Sequence, residues 1–468
     1  MNHPRGIWVL FATEMWERFS YYGMRALLVL YLISATGGLD APVANPGFGW
    51  TQADAYRLYG LYTWAVYLTP IFGGMLADRF LGTHRSLLLG GSIIAAGHLT
   101  LAATELFAIA PGEVVGLDTS PGALLCFVSG LLLIIVGTGF FKPCVAVMVG
   151  ELYEADDPRR EGGFTIFYMG INVGSLLAPL VAGTLGETLG WHWGFGAAAV
   201  GMILGLATYA LLRPRYLAGI GQPPRHGQAG MPTRPMLPLD ATEWHRVIVI
   251  LVLAFFGNVA FWAGFEQAGS SLNVFAAQST DRTLWGLLDE PFPATWFQSV
   301  NPAAVVLFAP LFAWLWVFLA RRDLDPSTPV KFCIGLWLLG LAFLAMVFGA
   351  LEARTGALAG PQWLLVTYVV VTWGELCLSP VGLAMVTRLA PLHLQSLLMG
   401  VWYFTFSLAN LVAGELARFS TRLASGEVRF VLDGLPGFFL MLVLGPIAVG
   451  VFMLALVPWL KRWMHGLR

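Results

Sequence analysis

Apolar residues in this chain come in runs longer than about 18 residues, separated by short polar connections, and not in the stripes of a water-soluble core. Twelve runs can be separated, at 6–36, 54–76, 86–108, 123–149, 163–185, 192–212, 245–276, 299–320, 330–351, 362–388, 393–417 and 435–460. Each is long enough to cross a bilayer as a helix, which takes about 20 residues. The pattern predicts an all-α membrane protein. Between the sixth and seventh runs lies 213–243, "RPRYLAGIGQPPRHGQAGMPTRPMLPLDATE", rich in Pro and Gly and without amphipathic period. It reads as a linker between two six-helix bundles, 1–212 and 244–468.

Composition agrees: of 468 residues, 57% are hydrophobic and 11% charged, with mean hydropathy +0.72, against about a quarter charged in soluble domains. No secretory signal is evident, because the first run is longer than an h-region and carries charges at its centre. Cys126, Cys144, Cys333 and Cys377 fall in apolar runs, so no disulfides are expected. The net charge of −1 identifies no partner by its sum, and no nucleic-acid partner is expected. Most Lys and Arg lie at the two ends and in the even-numbered connections, whereas the opposite side holds Arg282, Arg354, Arg418, Arg422 and Arg429. Positive charge marks the cytoplasmic face, which places both termini inside.

Two six-helix halves with cytoplasmic ends and a central linker resemble the major facilitator arrangement, whose substrate site lies near the bilayer midplane between the halves. The loop after the second run, "GGMLADRFLGTHRS", resembles that superfamily's loop motif. The resemblance implies that Asp78, Arg79 and Arg85 form ion pairs holding neighbouring helices in one conformer.

The first run carries "EMWERFSYYG", two carboxylates and a guanidinium where lipid would tolerate none. On a helical wheel Glu14, Glu17, Arg18, Tyr21 and Arg25 share an arc of about 100°. Met15, Trp16, Phe19 and Gly23 lie on the other side. The charged stripe must therefore face protein or water. Glu14 and Arg18 form an i, i+4 pair with the acid first, the better orientation. A buried ion pair is a weak source of stability, while charges at membrane depth mark ion or substrate pathways.

Lys142 also sits mid-membrane and needs a carboxylate partner. Glu266 and Glu375 lie within the seventh and tenth runs. Glu105 and Glu415 read as wetted interfacial residues, and His98 as a hydrogen-bonded packing residue. Cations in the first half (Arg25, Lys142) and acids in the second (Glu266, Glu375) would make a cavity between them bipolar. That suits a zwitterion, and glutamates at that depth can exchange protons near neutral pH.

"EMWERFSYYG" resembles the ExxERFxYYG motif of the proton-dependent oligopeptide transporters, a family of the major facilitator superfamily. "FYMGINVGSL" and "GGMLADRFLG" resemble its two signatures, and "GTGFFKP", "FWAGFEQ", "FQSVNP" and "GELCLSP" further family segments. The resemblance covers nearly the whole chain and implies a proton-coupled importer of di- and tripeptides working by alternating access. Glu14, Glu17 and Arg18 would couple protonation to movement, with Lys142 as alternating partner. Arg25 and Lys142 would hold the peptide carboxylate; Glu375, aided by Asn172 and Asn301, would receive its amino group. Glu266 would be a protonatable gate paired with Arg25. Tyr21, Tyr22, Tyr67, Trp262 and Trp402 would line side-chain pockets. Two features depart from the family: Cys144 stands where asparagine is common, and the linker has no room for the helix pair that bacterial members insert between the halves.

The expected setting is a bacterial cytoplasmic membrane, with a monomer in lipid, protons as coupling ion and no cofactor or metal. A carrier of another small anion or amino-acid-like solute, or a non-transporting sensor, is the alternative; an anion carrier would have no use for Glu375. No His-Glu-x-x-His, Gly-x-Ser-x-Gly or Walker motif points to an enzyme.

Overall fold

The computed structural model describes residues 3–36, 45–107, 109–110, 113–114, 120–154, 157, 159–222, 239–391 and 394–465. Its helices are α1 (Gly6–Ile33), α2 (Gln52–Leu76), α3 (Gly82–Ala102), α4 (Pro121–Glu151), α5 (Arg160–Thr188), α6 (Trp191–Tyr216), α7 (Ala241–Ser279), α8 (Ala294–Ala320), α9 (Thr328–Ala353), α10 (Gln362–Leu389), α11 (Gln395–Ala424) and α12 (Leu435–Trp463). Among the described residues the strand content is one antiparallel pair, Ile109–Ala110 with Glu113–Val114. Hydroxyl and carboxylate side chains start several helices: Thr51 accepts from the Asp54 amide at α2, Ser120 from Ala123 at α4, and Asp240 with Glu243 forms a capping box at α7.

By length and apolar composition alone, 10 candidate spans are found among the described residues. The twelve sequence runs reduce to this number for two reasons. α2 and α3 follow each other as one continuous helical stretch, Gln52–Ala102, bent through a π-helical turn at Ala77–Leu81. α1 is 28 residues long, ample to cross, but its charges take it outside a purely apolar criterion. The residues between Tyr216 and Ala241 are too few for two more spans of about 20 residues each, and 223–238, most of the proposed linker, lie outside the described residues.

The chain divides into two compact units. The first holds Met1–Ala55, Ala65–Met231 and Pro293–Pro302; the second holds Tyr56–Trp64, Pro232–Phe292 and Ala303–Arg468. Neither unit is a contiguous half of the sequence. The first turns of α8 belong with α1 and α3–α6, and a stretch of α2 belongs with α7 and α9–α12.

Glycine sets the closest approaches. On α3 and α4, Gly90 lies against Gly137 and Gly97 against Gly130: a Cβ on Gly90 would come 2.6 Å from the Gly137 carbonyl, and one on Gly137 equally close to that of Gly90. In a membrane, where lipid is as apolar as leucine, such close packing of small residues is a principal source of helix association. α1 is wrapped on several sides. Gly170 and Gly174 of α5 meet the backbone of Phe11 and Met15, while Gly201 and Gly205 of α6 receive Phe19 and Trp16. The face of α1 opposite its charges thus packs on protein.

Two spans are irregular where their sequences read as continuous. α5 changes to a π turn at Pro179–Gly183 before Thr184–Thr188. α7 has a π turn at Leu253–Asn258, an α segment Val259–Phe265, a 3-10 turn Glu266–Gly269, a non-helical Ser270 (φ −124, ψ −100) and a last α segment, Ser271–Gln278.

Candidate functional site: the charged residues of the spanning helices

In the first unit, α1 presents the most concentrated charge. Glu14, Glu17, Arg18 and Arg25 are 5%, 1%, 4% and 3% exposed, values that leave no room for bulk water to carry their solvation. Arg18 grips its sequence neighbour: its Nε lies 2.5 Å from Glu17 Oε2 and its Nη2 donates to Glu17 Oε1 at 2.6 Å. Glu14, the i, i+4 partner expected from the wheel, is the second partner, with Oε1 at 3.4 Å from the same Nε. The fork geometry of guanidinium explains the preference, because two parallel bonds to one carboxylate outweigh a single longer contact. Two carboxylates thus share the Arg18 guanidinium, and the Lys142 ammonium of α4 lies within electrostatic reach of Glu14. Tyr21 and Tyr22 complete the cluster: Arg18 lies 5.2 Å from the Tyr21 ring centre and 6.0 Å from that of Tyr22, and Arg25 lies 5.6 Å from Tyr22.

Lys142 on α4 places its ammonium 3.8 Å from the ring centre of Tyr67 on α2, close enough for a cation–π attraction. Two contacts fix this pairing: Thr69 donates to the Ile135 carbonyl at 2.9 Å, and Gly73 lies directly on the Gly139 carbonyl. Pro143, inside α4, has no N–H to offer that carbonyl. Cys144 donates its thiol back to Phe140 O at 3.1 Å within its own helix. Asn172 is buried on α5, with its amide on Tyr168 O at 3.0 Å, and Asn301 is half-buried near the start of α8.

In the second unit, Glu266 is 3% exposed and occupies the first position of the 3-10 turn where α7 loses regular helix. Gln267 beside it bridges to α11 through the Ala413 carbonyl and accepts from Ser271. An interrupted helix at membrane depth is tolerated only where protein or a cavity satisfies the freed backbone groups, and such breaks recur at transporter sites. Trp262, one turn before Glu266, packs on Phe265 and Phe406. Glu375 is buried on α10; the preceding Gly374 lies against the Gly335 carbonyl of α9 and the Phe261 ring. Trp402 differs from the expectation of a pocket wall. It is 1% exposed, edge-on to Phe332 with Gly382 against its ring, and is a core residue here.

At the loop motif, Arg79 and Arg85 are exposed and the Arg79 guanidinium lies 5.4 Å from the Phe80 ring centre; the Asp78 side chain lies outside the described ones. His98 differs from its expectation too. It is fully buried, and neither ring nitrogen finds a hydrogen-bond partner among the described residues. Glu415 is exposed beside Arg418 as expected. Glu105 is not a simple wetted residue, since it pairs with His192 Nδ1 at 2.5 Å. The four cysteines are free thiols.

Sequence reasoning missed Glu187. At the end of α5 its carboxylate accepts the amides of Ala294 (2.8 Å) and Thr295 (2.9 Å) and the Thr295 hydroxyl (2.7 Å), satisfying the first orphan donors of α8. Trp296 adds a bond to Thr184 at 2.8 Å and Ser299 one to Leu176 O at 2.8 Å.

Residues 84–222 and 236–430 match the model of the POT family. The chain belongs to the POT family. Its relatives include the uncharacterized transporter YclF of Bacillus subtilis (strain 168), 39% identical over 99% of this chain and 96% of that protein. The peptide transporter YePEPT of Yersinia enterocolitica is 34% identical over 99% and 96%. Among solved structures, peptide transporter POT in complex with sulfate superposes with a TM-score of 0.83 at 33% identity, covering 100% of this chain and 97% of that one. A POT family transporter in complex with 5-aminolevulinic acid gives 0.83 at 28%, covering 98% of each. This POT protein therefore has the major facilitator fold of its family; it is a multi-pass membrane transporter and not an enzyme.

Proposed function

We propose that the protein is a proton-coupled symporter that imports di- and tripeptides by alternating access. The observation that carries this reading is the α1 cluster: two buried carboxylates meet one bidentate guanidinium, with the Lys142 ammonium of α4 within electrostatic reach of Glu14. Buried acids and bases that can exchange partners as a proton is taken up are a natural coupling element. The relatives named as peptide transporters support peptide as the cargo.

In this reading Arg25 and Lys142 hold the peptide carboxylate. Glu375, with Asn172 and Asn301 assisting, receives the ammonium, and Tyr21, Tyr22, Tyr67 and Trp262 meet the side chains as the protein moves through its cycle. Glu266, set in the irregular turn of α7, takes a proton as a gate. The divisions 1–212, 213–243 and 244–468 are the rocking halves and their linker. The protein works as a monomer in a bacterial cytoplasmic membrane with both termini inside, and needs no cofactor other than the coupling proton. The membrane potential contributes about 2.3 kcal/mol per charge per 100 mV to uptake.

The experiment is accumulation of labelled dialanine in liposomes under an inward proton gradient, with uncoupler and excess tripeptide as controls. Glu266→Gln abolishes proton-driven accumulation and leaves counterflow; accumulation at the wild-type level in that variant would remove Glu266 from the coupling path.

A further inference from the structure

We propose that the connection between α7 and α8 is a membrane-surface anchor, a rigid loop that sets Trp285, Leu287 and Leu288 into the boundary between lipid headgroups and acyl chains. These side chains are 65%, 80% and 40% exposed. Large apolar groups displayed together on a short loop need a partner.

The loop is built to hold them out. Leu284 (φ 54), Trp285 (φ 58) and Gly286 (φ 79) are three consecutive residues in the left-handed region. Glycine adopts it freely, whereas leucine and tryptophan do so only when their surroundings impose it. The imposing contacts are present. The Asp281 carboxylate accepts the Thr283 amide (2.9 Å), the Thr283 hydroxyl (2.6 Å) and the Trp285 amide (2.9 Å). Arg282 donates to the Phe292 carbonyl at 2.7 Å and closes the far end.

The occupant follows from where the loop is fastened. It leaves α7 at Ser279 and enters α8 at Ala294, both ends of membrane-crossing stretches. Its base is tied to Ala359, just ahead of α10, by paired backbone bonds: Asp281 N to Ala359 O and Ala359 N to Ser279 O, each 2.8 Å. α7 and α10 thus meet at the loop base, which holds the exposed side chains at the ends of membrane-crossing stretches, within reach of the lipid boundary. Tryptophan favours that boundary, with its ring in apolar surroundings and its N–H toward water. The neighbouring Asp289 and Glu290 are exposed. They disfavour attraction to anionic headgroups, so contact is made by apolar burial and does not require negatively charged lipid.

The test places a nitroxide at Leu287→Cys or at Glu290→Cys, each with Cys126→Ala, in phosphatidylcholine vesicles. Collision with dissolved oxygen and with a water-soluble nickel chelate is measured at each site. The label at 287 loses nickel accessibility and gains oxygen accessibility relative to 290, and adding anionic lipid leaves both unchanged. Equal nickel accessibility at the two sites overturns the anchor. Spin–spin broadening that grows with the protein-to-lipid ratio overturns it as well, in favour of a second copy on this loop. Neither readout depends on substrate or protons, so it stands or falls separately from the transport reading.

Discussion

Replacing Glu187 by alanine removes the acceptor of three hydrogen bonds from the start of α8. Hydrogen bonds to a charged group are worth about 1.5–3 kcal/mol each, and loss of a helix cap costs about 0.5–2 kcal/mol. Glu187 is only half-buried, so water replaces part of what is lost, and a local cost of about 2 kcal/mol is the appropriate scale. With about 1.4 kcal/mol per factor of ten, opening of the first turn of α8 becomes roughly thirtyfold more frequent. Hydrogen exchange of a peptide containing Ala294 and Thr295, followed by mass spectrometry, reads this directly, because both amides bond to the lost carboxylate. Glu187→Gln, which keeps one oxygen but turns an NH2 toward a donor, falls between wild type and alanine. Unchanged exchange at these amides would refute the capping role. An equal rise throughout α9–α12 would show that the variant weakens the whole second unit, and would refute the local account too.

Four further outcomes are expected. Glu17→Ala leaves Arg18, among the described carboxylates, with the longer Glu14 contact alone; breaking such a buried pair costs about 3–5 kcal/mol, visible as a lower melting temperature in detergent, and an unchanged melt would remove Glu17 as the main partner. Gly137→Ala and Gly196→Ala shift stability in opposite directions. The first drives a Cβ against the Gly90 carbonyl, while the second meets nothing within 4 Å and gains helix propensity of up to about 1 kcal/mol; equal melting temperatures would contradict this packing. The Asp281 carboxyl is held below its ordinary value of 3.8, chiefly by the Thr283 hydroxyl and then by backbone amides. Its support for the loop is complete above that value and fades as pH falls through the lower folded one, so mobility of a label at 287 stays constant from pH 7 to 5 and rises only below about pH 4. Glu266→Gln separates accumulation from counterflow, as described above.

The periodicity of α1 was enough to place its charges on one buried stripe, because a 3.6-residue repeat fixes direction around the axis. It could not show what covers the other face, since Phe19 and Trp16 suit lipid and a glycine groove equally, and the groove lies on α5 and α6. The wheel also favoured Glu14 over Glu17 as the partner of Arg18. Backbone spacing argues that way, but long side chains turn back on their neighbours once burial removes water as a competitor. The break in α7 was hidden because Val259–Phe265 and Ser271–Gln278 form one hydropathic run; only Gly269 and the serines beside it hint at an interruption. Glu187 was illegible for a different reason. Its partners are more than a hundred residues away along the chain, and no local pattern connects them.

The facing glycines of α3 and α4 constrain how this sequence can change. When an ordinary core residue grows, its neighbour can shrink, and a second mutation restores the fit. At Gly90 and Gly137 each residue is already the smallest available, so damage at one cannot be repaired at the other. Revertants of Gly137→Ala should therefore be true reversions or changes that let one helix slide or tilt, and a suppressor search would chart how far α3 can move on α4.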